Sequence, residues 1–311
     1  MESSLTPNFF IVGAPKCGTT SLASWLAENP YVYFSWLKEP HYFSSDLHRS
    51  GVKRRSQYLR LFRDASEEHY AIGEASVWYL YSRVAIPRIE QELPGSLYVI
   101  CIRNPVDMAY SLHGQFLFHG NENIHDFQEA WHAQSERASG RRIPALCYED
   151  PSELIYGQSC ALGNQLKRLL DRVPEERVLI VFLEDMKNDP RGQYKRVLNF
   201  LGAPDDGRDN FPARNTGSGA RWHPLAKVIG SLLELRRRFV PYLGTGIIRS
   251  LGALNRVSGK RRDLTTTMRA EIEDYFEEEI QTIERITHRN LSHWRHSTTK
   301  NTAQKVSLLQ A

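Results

Sequence analysis

At 311 residues, with 41% hydrophobic and 24% charged side chains, the chain has enough apolar material for one large α/β domain, or one domain with a small appendage. Its 40 Lys and Arg against 36 Asp and Glu leave a formal charge of +4, too mild to argue for nucleic acid, although positive charge focused in a cleft would still favour anionic ligands. Cys17, Cys101, Cys147 and Cys160 show neither CxxC pairing nor zinc-like spacing and read as reduced thiols. With no apolar run of membrane-spanning length and no signal peptide in the polar residues 1–8, the expected setting is cytoplasmic.

Residues 9–12 are a short apolar run closed by Gly13, the pattern of a buried strand. Leu22, Trp25 and Leu26 then recur at helical spacing, which predicts a helix over 19–28 that Asn29-Pro30 stops. A second apolar run at 97–102 follows Pro94-Gly95 and leads through Arg103-Asn104-Pro105 into another helix, with Pro105 near its first position. A third, 178–183, leads to a helix over 192–201 closed by Gly202 and Pro204. Strands alternating with helices predict a P-loop-type three-layer α/β fold, a central parallel sheet flanked by helices, with ligands beyond the carboxyl ends of the strands. Residues 203–221 read as a long loop. Leu225, Val228, Ile229, Leu232 and Leu233 lie at helical spacing before the basic run Arg236-Arg237-Arg238, and 265–289 predicts an amphipathic helix with Ile272, Phe276, Ile280 and Ile283 on one side. The expected division is a single domain over 8–294, with a core at 8–202, a loop and helical cover at 203–294, and a disordered tail at 295–311.

The segment from Gly13 through Lys16, Cys17, Gly18, Thr19, Thr20 and Ser21 carries the chemistry. Glycines let backbone N–H groups turn toward an anion, the helix N-terminus adds partial positive charge, and the hydroxyls are further donors. A Walker-type loop needs lysine directly after its second glycine; here Thr19 stands in that place and the lysine lies inside the loop as Lys16.

On these residues, Pro15-Lys16-Cys17-Gly18-Thr19-Thr20-Ser21-Leu22, the chain resembles the 5′-phosphosulfate loop of sulfotransferases that use 3′-phosphoadenosine-5′-phosphosulfate (PAPS), most of all the heparan-sulfate-type branch and its bacterial relatives. The resemblance implies that Lys16 bonds the oxygen bridging sulfur and the 5′-phosphate. Arg103-Asn104-Pro105-Val106-Asp107 running to Tyr110-Ser111 resembles the family's 3′-phosphate motif, with Arg103 and Ser111 as the binding pair. Tyr79-Leu80, the 182–186 segment and Phe200-Leu201-Gly202 add supporting matches, so that the likeness covers most of 8–202 and more loosely 203–294. It implies PAPS as donor, the desulfated nucleotide PAP as product, and no metal.

Lys38-Glu39-Pro40-His41-Tyr42-Phe43 resembles the segment that carries the general base in the heparan-type enzymes. Pro40 predicts extended backbone, in which Glu39 and His41 face the same way. Glu39 is the expected base, with His41 as the alternative or its orienting partner. One departure bears on the acceptor: the family's lysine after the glutamate of a segment matching Gly73-Glu74-Ala75-Ser76 is Ala75 here, which argues against an acidic, heparan-like sugar. Trp78, Tyr79 and Tyr81 offer rings that could stack on an acceptor. For the basic loop that closes over the nucleotide, Lys260 and Arg261 within 258–262 are one candidate, and 214–221 is another. The segment 224–254 is expected to be a mobile cover, with peripheral contact to an anionic membrane as a further reading. The expected activity is sulfuryl transfer from PAPS to a hydroxyl or amine of a carbohydrate, lipid-linked or small-metabolite acceptor. The alternatives are a P-loop nucleotide kinase and a non-catalytic PAP-binding protein.

Overall fold

The computed structural model describes residues 5–49, 51–145, 147–213 and 264–295, and the backbone of 219–220 and 256–257. In chain order the elements are β1 (Phe9–Gly13), α1 (Thr19–Ala27), β2 (Val32–Phe34), α2 (Arg55–Leu59), β3 (Ala71–Ala75), α3 (Ala85–Glu92), β4 (Leu97–Ile102), α4 (Pro105–His119), α5 (Phe127–His132), α6 (Gln134–Ala138), α7 (Tyr156–Ser159), α8 (Leu162–Leu170), β5 (Val178–Phe182), α9 (Leu183–Asn188), α10 (Pro190–Leu201), the short antiparallel pair β6 (Gly219–Ala220) and β7 (Arg256–Val257), and α11 (Thr266–Thr287).

The first five strands form one parallel sheet in the order β2-β3-β1-β4-β5. Both faces are covered, which is why β1 and β4 read as unbroken apolar runs rather than alternating ones. The chain leaves β1 toward the β2 edge, returns through β3, then crosses to β4 on the other side of β1. The turn after β1 therefore sits at the topological switch point, where such sheets hold ligands. Gly73 is required by the close approach of β3 to β1: a Cβ there would lie 2.5 Å from the Phe9 carbonyl oxygen.

Local signals set the helix ends. Asn104 caps α4 by accepting from the Val106 N–H (2.9 Å), Pro105 fills the first turn, and Gly120 closes the helix in the left-handed region (φ 80°). Asp189, Pro190 and Gly202 repeat that pattern on α10. The amphipathic helix expected at 265–289 is α11, which buries Met268, Ile272, Phe276, Ile280 and Ile283 against α8 and α4. Each such side chain contributes about 1.5–3 kcal/mol from burial. Beyond it, Trp294 is buried, donates from Nε1 to Glu184 (2.5 Å), and its carbonyl accepts from Asn104 Nδ2 (2.8 Å).

Three expectations need correction. The strand at 178–183 ends at Phe182, because Leu183 already opens α9. Residues 38–43 are not extended: Glu39 (φ 55°) and His41 (φ 51°) are both left-handed. Trp78 and Tyr79 belong to the core, 2% and 0% exposed, so neither can stack on an acceptor. Among the described residues no helix is long and apolar enough to cross a membrane.

Candidate active site

The 13–18 turn delivers the head of α1 to the carboxyl end of the sheet. Gly18 is the N-cap residue (φ 90°), no side chain caps this helix, and the Ser21 N–H turns back to the Gly18 carbonyl (3.0 Å), so the head of α1 presents its positive end to the cleft through the N–H groups of Thr19 and Thr20. A Cβ on Gly18 would lie 2.8 Å from Leu183 Cδ1, a second reason for glycine. Lys16 is also left-handed (φ 65°), and its carbonyl accepts from Arg103 Nη1 (3.2 Å). That bond ties the first loop to the start of the second motif across 87 residues of sequence.

Burial, together with the charges of Arg103 and Lys38, lowers the Lys16 pKa despite an opposing contribution from Cys17. Lys16, Arg103 and Lys38 gather positive charge around this helix N-terminus, even with Lys38 3.6 Å from Glu39 and Arg103 3.8 Å from Asp107. That is the fit an anionic nucleotide requires. Thr19 and Ser21 are buried, while Thr20 is half-buried and accepts from Lys38 Nζ (3.0 Å). Cys17 is turned into the core: its thiol donates to the Pro15 carbonyl (3.4 Å), its N–H to that of Ala14 (3.3 Å), and burial pushes its pKa up to about 12. Ser111 lies two turns into α4, half-buried. Asp107, one turn into that helix, pairs with Arg103 (3.8 Å) and with Arg269 of α11 (2.8 Å).

On the acceptor side Glu39 and His41 do meet, by a different route from the one expected. Two left-handed residues around Pro40, a conformation costing non-glycine residues roughly 1–2 kcal/mol each, bring His41 Nε2 to 3.2 Å from Glu39 Oε2. The His41 side chain is 1% exposed and that of Glu39 is 23% exposed, so the carboxylate is the member that faces the cleft. Burial alone would raise the Glu39 pKa, but the hydrogen bond from His41 and the charges of Lys38, His41 and Arg49 outweigh it and hold this carboxyl below the usual range. Lys38, 3.6 Å from Glu39, touches both halves of the site through its bond to Thr20.

Several side chains here carried no sequence signal. Arg49 is buried over the Trp78 ring (4.8 Å), where it donates to Glu149 (3.1 Å) and, through two nitrogens, to Glu153 (Nε to Oε1 2.6 Å). Burial works against its charge, yet the two carboxylates keep it protonated. Burial pushes Glu153 up to about 8, against the pull of Arg49. His119, at the end of α4, lies in the field of the same group. Burial lowers its pKa, with Glu149 and Glu39 opposing and Lys16 and Arg49 reinforcing the shift. Lys260, Arg261 and the 224–254 cover lie outside the described residues, as do the side chains of 214–221.

The comparisons place the chain among the sulfotransferases. A family profile described as "Sulfotransferase domain" matches residues 6–211. Human bifunctional heparan sulfate N-deacetylase/N-sulfotransferase 2 is 26% identical over 204 residues, covering 63% of this chain and 22% of that protein. Human carbohydrate sulfotransferase 15 is 28% identical over 285 residues, covering 75% of this chain and 50% of that one. The chain thus spans half or less of the length of these two relatives. The crystal structure of a sulfotransferase from Alicyclobacillus acidocaldarius superposes with a TM-score of 0.70 at 25% identity, covering 94% of this chain and 100% of that one.

Proposed function

The chain belongs to the PAPS-dependent sulfotransferase family, and from that premise we propose that it moves the sulfuryl group of PAPS onto a hydroxyl or amine, with Glu39 as general base and Lys16 at the leaving phosphate. The observation that carries this reading is the uncapped head of α1 ringed by Lys16, Arg103 and Lys38, with the Glu39–His41 pair one side chain away through Lys38. Donor binding rests on the first-turn N–H groups of Thr19 and Thr20 and the hydroxyls of Thr19, Thr20 and Ser21, with Arg103 and Ser111 taking the 3′-phosphate.

In the transfer step the acceptor oxygen or nitrogen forms a bond to sulfur as the bond from sulfur to the bridging oxygen breaks. The acceptor's proton passes to Glu39, and the Lys16 ammonium neutralises charge that develops on the departing phosphate. Glu39 serves as base rather than His41 because it alone of the pair reaches solvent. His41 orients it and keeps it ionised. With Ala75 in place of the family's lysine, and Arg49 paired to Glu149 and Glu153, an uncharged acceptor suits this cleft better than an acidic sugar. Calorimetry with PAP and ATP tests the donor half. Tight PAP and weak ATP binding are expected, and equal affinity for the two would refute the 3′-phosphate site.

A further inference from the structure

Glu74 stands next to last in β3, beneath the 39–43 loop, wholly buried, and the chemistry above gives it no task. A buried carboxylate is tolerated when hydrogen-bonded, and Glu74 has three donors: Ser76 Oγ (2.7 Å), Tyr79 OH (2.9 Å) and Tyr58 OH (3.2 Å). Each hydroxyl has one proton to give. Ser76 and Tyr79 give theirs to Glu74, so their oxygens must act as acceptors toward everything else. What they accept is the backbone of the base loop: His41 N–H on Ser76 Oγ (3.1 Å) and Phe43 N–H on Tyr79 OH (3.3 Å). Together with Glu39 N–H on the Ala75 carbonyl (3.1 Å), these bonds hold every second N–H of residues 39–43 along residues 75–79. The loop contains two left-handed non-glycine residues and is not an element of regular structure, so its shape depends on these straps.

We propose that ionised Glu74 is a positioning residue for the catalytic base: by taking the protons of Ser76 and Tyr79 it compels their oxygens to hold the His41 and Phe43 N–H groups, and so fixes Glu39 and His41 at the cleft. This rests on the reading of Glu39 as base. The groups facing Glu74 are Tyr58 from α2, itself stacked on Tyr42 (4.5 Å), Ser76 and Tyr79 from the segment after β3, and Glu39 through its charge. Burial pushes its pKa up to about 7, the hydroxyl donors opposing and the Glu39 charge adding to the rise. Once protonated, Glu74 loses its charge, the bonds it takes from Ser76 and Tyr79 weaken, and their oxygens are held less firmly toward the His41 and Phe43 N–H groups. Turnover should therefore fall as pH drops through about 7.

The test is Glu74→Gln in the full chain, with PAP affinity by calorimetry and turnover of radiolabelled PAPS, acceptors coming from a cell extract, across pH. The expected result is unchanged PAP affinity and KM for PAPS, turnover lower on the order of 10–100-fold, and loss of the acid limb near neutrality. Wild-type turnover, or reduced turnover with the limb unmoved, overturns the proposal. If the variant does not fold, as shown by lost PAP binding, Ser76→Ala and Tyr79→Phe decide. Each cuts one strap and keeps the carboxylate, so each should lower turnover and keep the limb, and wild-type turnover in both overturns it. Glu39→Gln runs alongside. If it stays fully active, the base assignment is what failed. If it is inactive while Glu74→Gln is normal, Glu74 alone loses its role.

Discussion

The donor loop at 13–21 and the base loop at 39–43 lie over the carboxyl ends of neighbouring strands, yet they are held by opposite means. The donor loop is shaped by its own sequence: a buried strand, a glycine that can adopt φ 90°, and a helix whose first turn is left uncapped. The base loop has no local reason for its shape. It is tied by alternate N–H groups to hydroxyls that Glu74 organises from beneath. Donor binding is thus a property of a local motif that sequence can display, whereas placement of the base is a tertiary property and open to tuning by buried side chains.

That contrast can be broken or sharpened by substitution, and Glu39→Gln carries the largest expected effect. Removing a general base typically lowers turnover by about 10²–10⁴-fold, and PAP affinity should change little, because Glu39 reaches the donor loop through the half-exposed Lys38, which bonds Thr20. Rapid-mix kinetics with calorimetry on the same preparation checks both. Lys38, His41 and Arg49 hold Glu39 below the usual carboxylate range, so Glu39 should stay ionised throughout and contribute no acid limb near neutrality. Next in size is Arg103→Ala, which should weaken PAP by roughly 10–100-fold, the worth of a charge-assisted bond, and abolish the preference over ATP. Competition binding measures this directly. Gly73→Ala should destabilise the whole fold by about 1–3 kcal/mol, because the added methyl meets the Phe9 carbonyl oxygen at 2.5 Å; urea unfolding reads it. The smallest effect belongs to Lys38→Ala. Its ammonium is half exposed and bridges the two loops, and such pairs are worth about 0–1 kcal/mol, so a few-fold loss in turnover is expected from steady-state rates.

What could be read in the sequence follows the same division. β1, β4 and β5 announce themselves as apolar runs, and the caps of α4 and α10 are spelled out by Asn-Pro, Asp-Pro and the closing glycines. β2, three residues long, and β3, which carries Gly73 and Glu74 in its middle, lack that signature. Burial on both faces and pairing with β1 and β2 make β3 a strand. Lys16, Arg103 and the hydroxyls stand in a spacing that their chemistry dictates. Arg49 with Glu149 and Glu153, His119, and Arg269 with Asp107 are set by contacts between residues far apart in the chain, and nothing local marks them. The pairing of Glu39 with His41 was legible as a pair but not as geometry, since extended backbone and a left-handed turn both bring the two side chains to one side. Trp78 and Tyr79 show the converse: aromatic density that suggested a binding surface belongs to the core, and Tyr79 serves Glu74 through its hydroxyl.

The central claim is that Lys16 acts on the leaving phosphate rather than on ground-state binding, and one paired measurement reaches it. Transfer of label from PAPS into cell-extract acceptors is followed for the wild-type chain and for Lys16→Ala, with PAP affinity determined on both. The expected result is a loss of transfer on the order of 100-fold or more with PAP affinity little changed, since the lysine's charge matters most when the bridging bond breaks. Near-normal transfer by Lys16→Ala, or a loss wholly explained by weaker PAP binding, would contradict it.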